Sequence, residues 1–163
     1  TETFIKKNPD CIVICTNTMH KVAPQIGERI SIPILHIAEA TAQALIDSGI
    51  TRVLLLGTRY TMQQNFYKEK LVERGIEVMI PEDEDMEIVN RIIFGELCLG
   101  VISQESKRQY LRIIEEQKER GAQGVILGCT EIGLLISQAD TELPVFDTTQ
   151  IHAARAAEWA VTE

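Results

Sequence analysis

Short, continuously apolar runs alternate with longer amphipathic stretches along this chain. Residues 11–15, 53–56 and 125–127 carry only aliphatic or cysteine side chains. A short run without polar alternation is typical of a strand that is buried on both faces of a parallel sheet. The stretches between such runs have helical periodicity, and several of them end in glycine, which commonly terminates helices. The pattern therefore predicts an α/β fold built on parallel strands.

The positions of the individual elements follow from the same alternation. Predicted strands cover residues 11–15, 32–35, 52–57, 77–80, 125–128 and 144–146. Predicted helices cover residues 19–29, 38–48, 61–74, 87–99, 104–120 and 151–161. Thr61 is the predicted N-cap of the third helix, because a Thr hydroxyl accepts the free backbone N–H groups there. The acidic residues 82–85 form a predicted solvated loop before the fourth helix, where carboxylates favour the positive end of the helix dipole.

Two parts of the sequence repeat each other. Residues 13–16 end a predicted strand in Cys-Thr, and so do residues 126–130. Residues 32–36 and 143–147 each place a proline near the start of a short strand that leads into an Ala-rich helix. The repetition suggests two related α/β halves, each presenting a cysteine at the carboxyl end of a strand. In open α/β sheets, this is the end at which ligands bind.

The overall composition narrows the class of protein. The chain has 163 residues, and 24 acidic against 16 basic side chains give a net charge of −8 at pH 7. With 45% hydrophobic and 25% charged residues, the balance predicts a soluble globular protein and excludes a disordered one. The negative charge argues against a nucleic acid partner, and no apolar run is long enough to span a membrane. Four cysteines are too few for a secreted disulfide scaffold, so a cytoplasmic location is predicted.

The spacing of the cysteines argues against a disulfide or a metal site. Cys11 and Cys15 share one predicted strand, which places their Cα atoms roughly 13 Å apart. That separation exceeds the roughly 7 Å limit for a disulfide, and it is too long for both thiolates to bind one zinc ion. No Cys-x-x-Cys or His-x-x-x-His spacing occurs, so no metal site is predicted. Cys11 in a strand and Cys98 in a helix are interpreted as small buried hydrophobic residues.

Cys15 and Cys129 differ from the other two cysteines in their positions. Each ends a predicted strand and precedes a loop and a helix. The free N–H groups and the positive dipole end of a helix N-terminus favour a thiolate, so a lowered thiol pKa is predicted for both. Ordinary strand-end cysteines without a chemical role remain the alternative at this point.

Hydrogen-bonding side chains cluster around the same strand ends. The segments are Cys15-Thr16-Asn17-Thr18, Gly57-Thr58-Arg59-Tyr60-Thr61 and Gly128-Cys129-Thr130-Glu131. Polar strand ends that converge can hold a small anionic ligand, whose carboxylate binds hydroxyl and backbone N–H groups. Taken singly, each Thr is better explained as a helix cap. Taken together, they indicate a binding site.

These motifs resemble those of the cofactor-independent aspartate/glutamate racemase family. Its first half carries Cys-x-Asn-Thr/Ser, matched by residues 15–18, and its second half carries Gly-Cys-Thr-Glu/His, matched by residues 128–131. Residues 57–61, Pro33 and residues 146–149 are also similar to the family. The resemblance covers essentially the whole chain. The Glu that ends the second motif is more similar to the aspartate racemase branch than to the glutamate racemase branch.

The resemblance implies a fold of two pseudo-symmetric, Rossmann-like or flavodoxin-like parallel-sheet halves with the active site between them. Residues 1–48 and 143–163 would form the remainder of the first domain, and residues 49–142 the second. The family's first half begins with a strand–helix–strand unit, and nothing before Cys11 has room for it. The first half is therefore expected to be truncated at its N-terminus, which would leave the isolated chain inactive. A homodimer is expected, because truncation would expose apolar surface.

The resemblance also implies racemisation of an acidic amino acid, aspartate or glutamate, with no cofactor. One of the thiols of Cys15 and Cys129 would remove the α-proton as thiolate, and the other would protonate the opposite face. Hydrogen bonds around the α-carboxylate would stabilise the carbanion in place of a cofactor. The side chains that would supply them are Asn17, Thr18, Thr58 and Thr130.

Two further positions bear on mechanism and specificity. Glu131 could orient Cys129 or only brace the loop, and the bracing role is preferred. Cys98 stands where some aspartate racemases carry a Lys that binds the side-chain carboxylate of the substrate. Glutamate or a broader substrate range therefore stays open.

Several other functions fit part of the pattern. Maleate isomerase and hydantoin racemase of the same superfamily also use paired cysteines. Cys15 with His20 could form a thiol-hydrolase dyad, although this leaves Cys129 unexplained. A non-catalytic module could use the same groups to bind a carboxylate. His36 and His152 stand at the starts of predicted helices, where capping or packing explains them at least as well as catalysis.

Overall fold

Parallel strands alternate with helices through the part of the chain that the computed structural model describes, residues 9–162. The strands are β1 (Ile12–Val13), β2 (Ile34–Leu35), β3 (Arg52–Leu56), β4 (Glu77–Met79), β5 (Val125–Leu127) and β6 (Val145–Asp147). The α-helices are α1 (Ala23–Gly27), α2 (Ile37–Asp47), α3 (Arg59–Gln63), α4 (Asn65–Val72), α5 (Asp83–Gly95), α6 (Gln104–Glu119) and α7 (Thr148–Thr162). Short 3-10 helices lie at Thr18–Val22, Leu97–Leu99, Ile132–Leu134 and Gln138–Asp140. The predicted α/β class is confirmed.

The strands form two parallel sheets. β1 pairs with β2, and the other four strands are arranged in the order β4-β3-β5-β6. Leu54 and Leu56 of β3 pack into a core with α5 and α6, whereas Val53 and Leu55 pack on the other face with α2 and α4. Helices thus cover both faces of the larger sheet, which explains why its central strands have no polar alternation.

The predicted helices at 38–48 and 104–120 agree with the structure to within one residue, and the one at 151–161 begins three residues earlier, at Thr148. The other three predicted helices differ more. The predicted helix at 19–29 is a 3-10 turn followed by the short α1. The predicted helix at 61–74 begins at Arg59 with Thr58, not Thr61, as its N-cap, and extended backbone at Gln64 divides it into α3 and α4. The predicted helix at 87–99 begins earlier, because three acidic residues form the first turn of α5, where they meet the positive end of the helix dipole.

The prediction of Cys98 as a buried helical residue is wrong. The helix α5 ends at Gly95, and Cys98 lies exposed in the 3-10 turn Leu97–Leu99. Gly100 follows with a φ of 75°, a backbone conformation that a residue with a Cβ rarely adopts. This turn directs the chain away from the helix axis and leaves the thiol at the surface.

The division into residues 1–48 plus 143–163 and residues 49–142 stays a prediction. The strand β6 hydrogen-bonds to β5 in the larger sheet, whereas α7 packs against α2. Within residues 9–162, none of the helices has the length and apolar character needed to cross a membrane.

Glycine allows the ends of β3 and β5 to approach each other closely. The N–H of Gly128 donates to the carbonyl of Leu56 at 2.6 Å. A Cβ on Gly128 would lie 2.9 Å from both that carbonyl oxygen and Cδ1 of Leu55. Gly57 has a similar constraint, since its Cβ would lie 3.1 Å from the carbonyl oxygen of Gly128. The next residues, Thr58 and Cys129, therefore leave adjacent strands side by side.

The substitution Gly128→Ala is expected to lower the free energy of unfolding by about 1–3 kcal/mol, the usual cost of forcing a methyl group into packed surroundings. Gly27→Ala is the matched control, because nothing lies within 4 Å of a Cβ built there. Urea unfolding followed by circular dichroism measures both changes. Equal stability of the two variants would show that the strand ends separate at little cost.

Candidate functional site

The loop after β1 is tied to the end of β5 by a buried chain of hydrogen bonds. Nδ2 of Asn17 donates to Oγ1 of Thr148 at 3.0 Å, and that hydroxyl donates to the carbonyl of Leu127 at 2.8 Å. Cys15 lies two residues before Asn17, and Cys129 lies two residues after Leu127. The structure therefore links the two segments that carry the predicted catalytic thiols, through a residue of α7 that the sequence analysis did not select.

The side-chain oxygen of Asn17 has no hydrogen-bond partner among the described residues. The residue is 3% exposed, and its Oδ1 is buried without a hydrogen bond to any of the described residues. A buried carbonyl oxygen without a donor costs about 1–3 kcal/mol. The N–H of a bound ligand would remove this cost, so Oδ1 of Asn17 can accept from a donor group such as an ammonium.

Hydroxyl groups from two strand ends meet beside this link. Oγ1 of Thr61 lies 3.4 Å from Oγ1 of Thr18 and 3.1 Å from Oγ1 of Thr58. Thr58 also caps α3 by accepting from the N–H of Thr61 at 3.2 Å. Two predicted binding residues, Thr18 and Thr58, are thus brought together through Thr61. The sequence analysis had predicted Thr61 as the helix N-cap and as part of the polar segment 57–61, and the capping role belongs to Thr58 instead.

The thiol of Cys129 is held by a carboxylate. Its Sγ donates to Oε2 of Glu131 at 2.9 Å, and Oγ1 of Thr130 donates to the same oxygen at 2.7 Å. Burial, and then the hydrogen bond to Glu131, raise the pKa of the Cys129 thiol to about 12. Hydrogen bonds from Cys129 and Thr130 lower the pKa of the Glu131 carboxyl. The resting pair is therefore a protonated thiol beside a carboxylate.

The predicted lowering of the Cys129 pKa is wrong, for two physical reasons. The turn that follows is the three-residue 3-10 helix Ile132–Leu134, which is too short to supply a substantial dipole. Burial and a carboxylate at hydrogen-bond distance both favour the neutral thiol. The loop-bracing role preferred for Glu131 is incomplete as well, because its carboxylate contacts the thiol itself.

A known family combines these strand-end features. The family model for Asp/Glu/hydantoin racemases matches residues 2–156. The chain belongs to this racemase family. The predicted family is thereby confirmed, and the two cysteine motifs of the sequence analysis lie inside the matched range.

Individual members of the racemase family show how much of the chain is shared. A Yersinia pestis protein assigned to the Asp/Glu racemases has a crystal structure that matches with 51% identity and a TM-score of 0.93, over 98% of this chain and 70% of its own. An aspartate racemase homologue from Pyrococcus horikoshii OT3 matches with 37% identity and a TM-score of 0.90, over the same shares. The broad specificity amino-acid racemase RacX of Bacillus subtilis strain 168 is 28% identical over 88% of this chain, which spans 62% of RacX.

The other predicted thiol, Cys15, is exposed. Its Sγ donates weakly to the carbonyl of Val13, at 3.9 Å. The thiol-hydrolase dyad with His20 does not form, because both ring nitrogens of His20 bind backbone groups. Nδ1 binds the carbonyl of Thr16 at 2.8 Å, and Nε2 accepts from the N–H of Ile37 at 3.1 Å.

His36 caps a helix and His152 is packed in the interior, which are the two structural roles that the sequence analysis considered for them. His36 is the N-cap of α2, where its Nδ1 accepts from the N–H of Ala38 at 3.2 Å. His152 is buried, and its Nε2 binds the carbonyl of Leu35 at 2.7 Å. Within residues 9–162, no three His, Cys, Asp or Glu side chains are grouped so that they could hold a metal ion.

Two surface clefts lie away from the cysteines. One, of about 600 Å³, lies between α2 and α7, and another, of about 390 Å³, lies between α1 and α4. Neither Cys15 nor Cys129 lines them. The strand ends that carry the two cysteine motifs therefore lie outside both clefts.

Proposed function

We propose that this chain carries the reacting thiols of a cofactor-independent racemase for an acidic amino acid, aspartate, glutamate or both. The observation that supports this most directly is the buried connection from Asn17 through Thr148 to Leu127. It joins the loop of Cys15 to the loop of Cys129, which supports a single site formed by the two thiols and the nearby threonine hydroxyls. Inversion at a Cα atom needs a base and an acid on opposite faces, which two such loops can supply.

In the proposed reaction, the two thiols have different roles. The Cys129 thiol keeps its proton at neutral pH, because burial and Glu131 raise its pKa to about 12. Cys15, as thiolate, takes the α-proton of the substrate, and the electron pair of the C–H bond stays on the substrate as a carbanion. The S–H bond of Cys129 then breaks, and its proton goes to the opposite face of the same carbon. Cys15 ends as a thiol and Cys129 as a thiolate.

In the reverse direction, Cys129 as thiolate removes the α-proton, and the thiol of Cys15 then protonates the opposite face of the carbanion. A thiolate beside the Glu131 carboxylate is unfavourable, since two negative charges at hydrogen-bond distance repel each other. Reprotonation of Cys129 from water or from the α-carbon of a substrate restores the resting pair. Both directions need one proton shared between the two thiols, so their kcat/KM values are expected to have the same pH dependence.

The polar groups of the site suit the zwitterion of an amino acid. The unpartnered Oδ1 of Asn17 would accept from the α-ammonium group, and the hydroxyls of Thr18 and Thr58 would donate to the α-carboxylate. Thr61 would orient these two hydroxyls through the contacts described above. Thr130 stays a predicted carboxylate contact, because its hydroxyl donates to Glu131 at 2.7 Å without a substrate. Hydrogen bonds to the carboxylate are strongest when charge develops there, which stabilises the carbanion.

The test is exchange of the α-proton in D₂O, followed by ¹H NMR with the complete product of the gene. L-aspartate, D-aspartate, L-glutamate and D-glutamate are the substrates, and L-alanine, L-lysine, maleate and a 5-substituted hydantoin are the comparison compounds. Loss of the α-proton signal together with formation of the opposite enantiomer is expected for at least one acidic amino acid. Turnover of only maleate or only the hydantoin would replace the proposal with the corresponding isomerase or racemase. Binding without exchange would support a carboxylate-binding module instead.

A further inference from the structure

The three histidines of the chain lie together behind the loop that carries Cys15. The ring centroid of His20 is 4.4 Å from that of His36 and 5.6 Å from that of His152. His20 is 1% exposed and His152 is 3% exposed. Buried polar groups are usually hydrogen-bonded, so the partners of the two buried rings indicate what these rings hold in place.

The hydrogen bonds of His20 join two backbone segments. The carbonyl of Thr16, next to Cys15, can only accept, so Nδ1 of the ring carries a proton and donates to it. The N–H of Ile37 can only donate, so Nε2 carries no proton and accepts. The ring is thus neutral, in the Nδ1–H tautomer. It bridges the peptide beside Cys15 to the first N–H group of α2.

The surroundings of His20 keep the ring in place. His152 packs edge-on against it and donates to the carbonyl of Leu35, at the end of β2. Thr148 lies one helical turn earlier on α7 and holds Asn17, whose carbonyl in turn accepts from the N–H of His20. The loop between Cys15 and His20 is therefore fixed from both sides, by α2 and by α7.

We propose that His20 is a positioning residue for Cys15, acting through the carbonyl of Thr16. The neutral ring holds the carbonyl of Thr16, and the N–H of Thr16 donates to the carbonyl of Ile14 at 2.8 Å. With Thr16 held at both of its peptides, the backbone at Cys15 is fixed, and so is the direction in which its side chain leaves the backbone. The consequence for catalysis rests on the proposed racemase function, but the positioning itself does not. Burial lowers the pKa of His20, which supports a neutral ring at physiological pH.

The first test is the tautomeric state of the unmodified protein at neutral pH. Long-range ¹H–¹⁵N NMR distinguishes the two neutral tautomers and the cation, and three histidines give few signals to assign. His20 is expected as the Nδ1–H tautomer, whereas the contacts of His36 and His152 require the Nε2–H tautomer. An Nε2–H tautomer or a cation at His20 would overturn the proposal without any variant.

The second test measures the position of the Cys15 thiol. In His20→Asn, the bridge to Ile37 is lost, and the rate of iodoacetamide labelling of Cys15 is expected to change several-fold at constant pH, as measured by peptide mass spectrometry. Labelling of the exposed Cys98 serves as the internal standard. The matched control is His36→Asn, which keeps a residue able to cap α2 and leaves the His20 bridge intact. Unchanged labelling of Cys15 in folded His20→Asn would refute the positioning role.

The kinetic constants of racemisation provide a third test. If the chain racemises an acidic amino acid, His20→Asn is expected to lower kcat by about tenfold to a hundredfold, the cost of displacing a reacting group by roughly 1 Å. KM should change much less, because Asn17 and the hydroxyl cluster keep their own contacts. Absence of activity in the unmodified protein would contradict the proposed function and leave the tautomer and labelling results to decide on His20. Equal falls in kcat for His20→Asn and His36→Asn would indicate general damage and count against the proposal.

Discussion

Replacing either Cys15 or Cys129 with alanine is expected to lower kcat for racemisation by about 10²–10⁴-fold, the usual contribution of a general acid or base. Each substitution removes the only proposed proton carrier on one face of the substrate, so the other thiol cannot compensate. Chiral chromatography of reactions started from each enantiomer measures the loss in both directions. Cys15→Ser and Cys129→Ser add a finer measurement, because one remaining thiol can still exchange the α-proton on its own face without inversion.

Cys11→Ala and Cys98→Ala are the matched controls, because each removes a cysteine that does not belong to the proposed catalytic pair. Both controls are expected to retain racemisation. Substrate binding, measured by calorimetry, should survive in the Cys15 and Cys129 variants. A protein that keeps racemising without either cysteine would exclude the two-thiol mechanism. Loss of binding in both variants would point instead to structural damage at the strand ends.

Glu131→Gln is expected to have the second largest effect, on the ionisation of Cys129. The Glu131 carboxylate accepts from the thiol at 2.9 Å and so stabilises its protonated form. An uncharged amide removes the repulsion between thiolate and carboxylate, and the pKa of Cys129 should fall from about 12 toward its ordinary value. The thiolate absorbance in the ultraviolet, recorded against pH, measures this change. Subtracting the absorbance of the double variant Glu131→Gln/Cys129→Ala from that of Glu131→Gln isolates the contribution of the Cys129 thiolate.

The sign of the kinetic effect follows from the role of Cys129 as proton donor. A donor works only while it is protonated, so the rate in that direction falls as the pH rises through its pKa. With that pKa lowered, the alkaline fall should begin at a lower pH in Glu131→Gln than in the unmodified enzyme. Glu142→Gln is the control, because this carboxylate pairs with Lys118 on the surface. Identical alkaline limits in all three proteins would mean that Glu131 only braces the loop.

The sequence predicted most of the architecture because its signals are local. Continuous apolar runs indicated β3 and β5, and each lies between helices on both faces of the larger sheet. The carboxyl-end rule for α/β sheets is also what indicated Cys15, Cys129 and their polar neighbours, whose role as a site stays a prediction. These conclusions needed only periodicity and the residues next to each strand.

Long-range contacts and burial account for what could not be predicted. Thr148 became part of the site through a hydrogen bond to a residue 131 positions away, and nothing beside Thr148 in the sequence indicates that partner. The pKa of Cys129 was predicted in the wrong direction, because the extent of burial and the orientation of the Glu131 carboxylate are tertiary properties. The acidic first turn of α5 was predicted to be a loop, although carboxylates there favour helix initiation.

The bond between Asn17 and Thr148 also determines when the site can form during synthesis. Asn17 belongs to the first strand–loop unit described, whereas Thr148 begins the last helix, α7. A growing chain that has folded every element through β6 still lacks the hydroxyl that holds the Asn17 amide and the His152 ring that packs against His20. The loop that carries Cys15 therefore acquires its described geometry only after α7 has left the ribosome and docked. Folding of the strands before α7 is not sufficient to hold this loop in place.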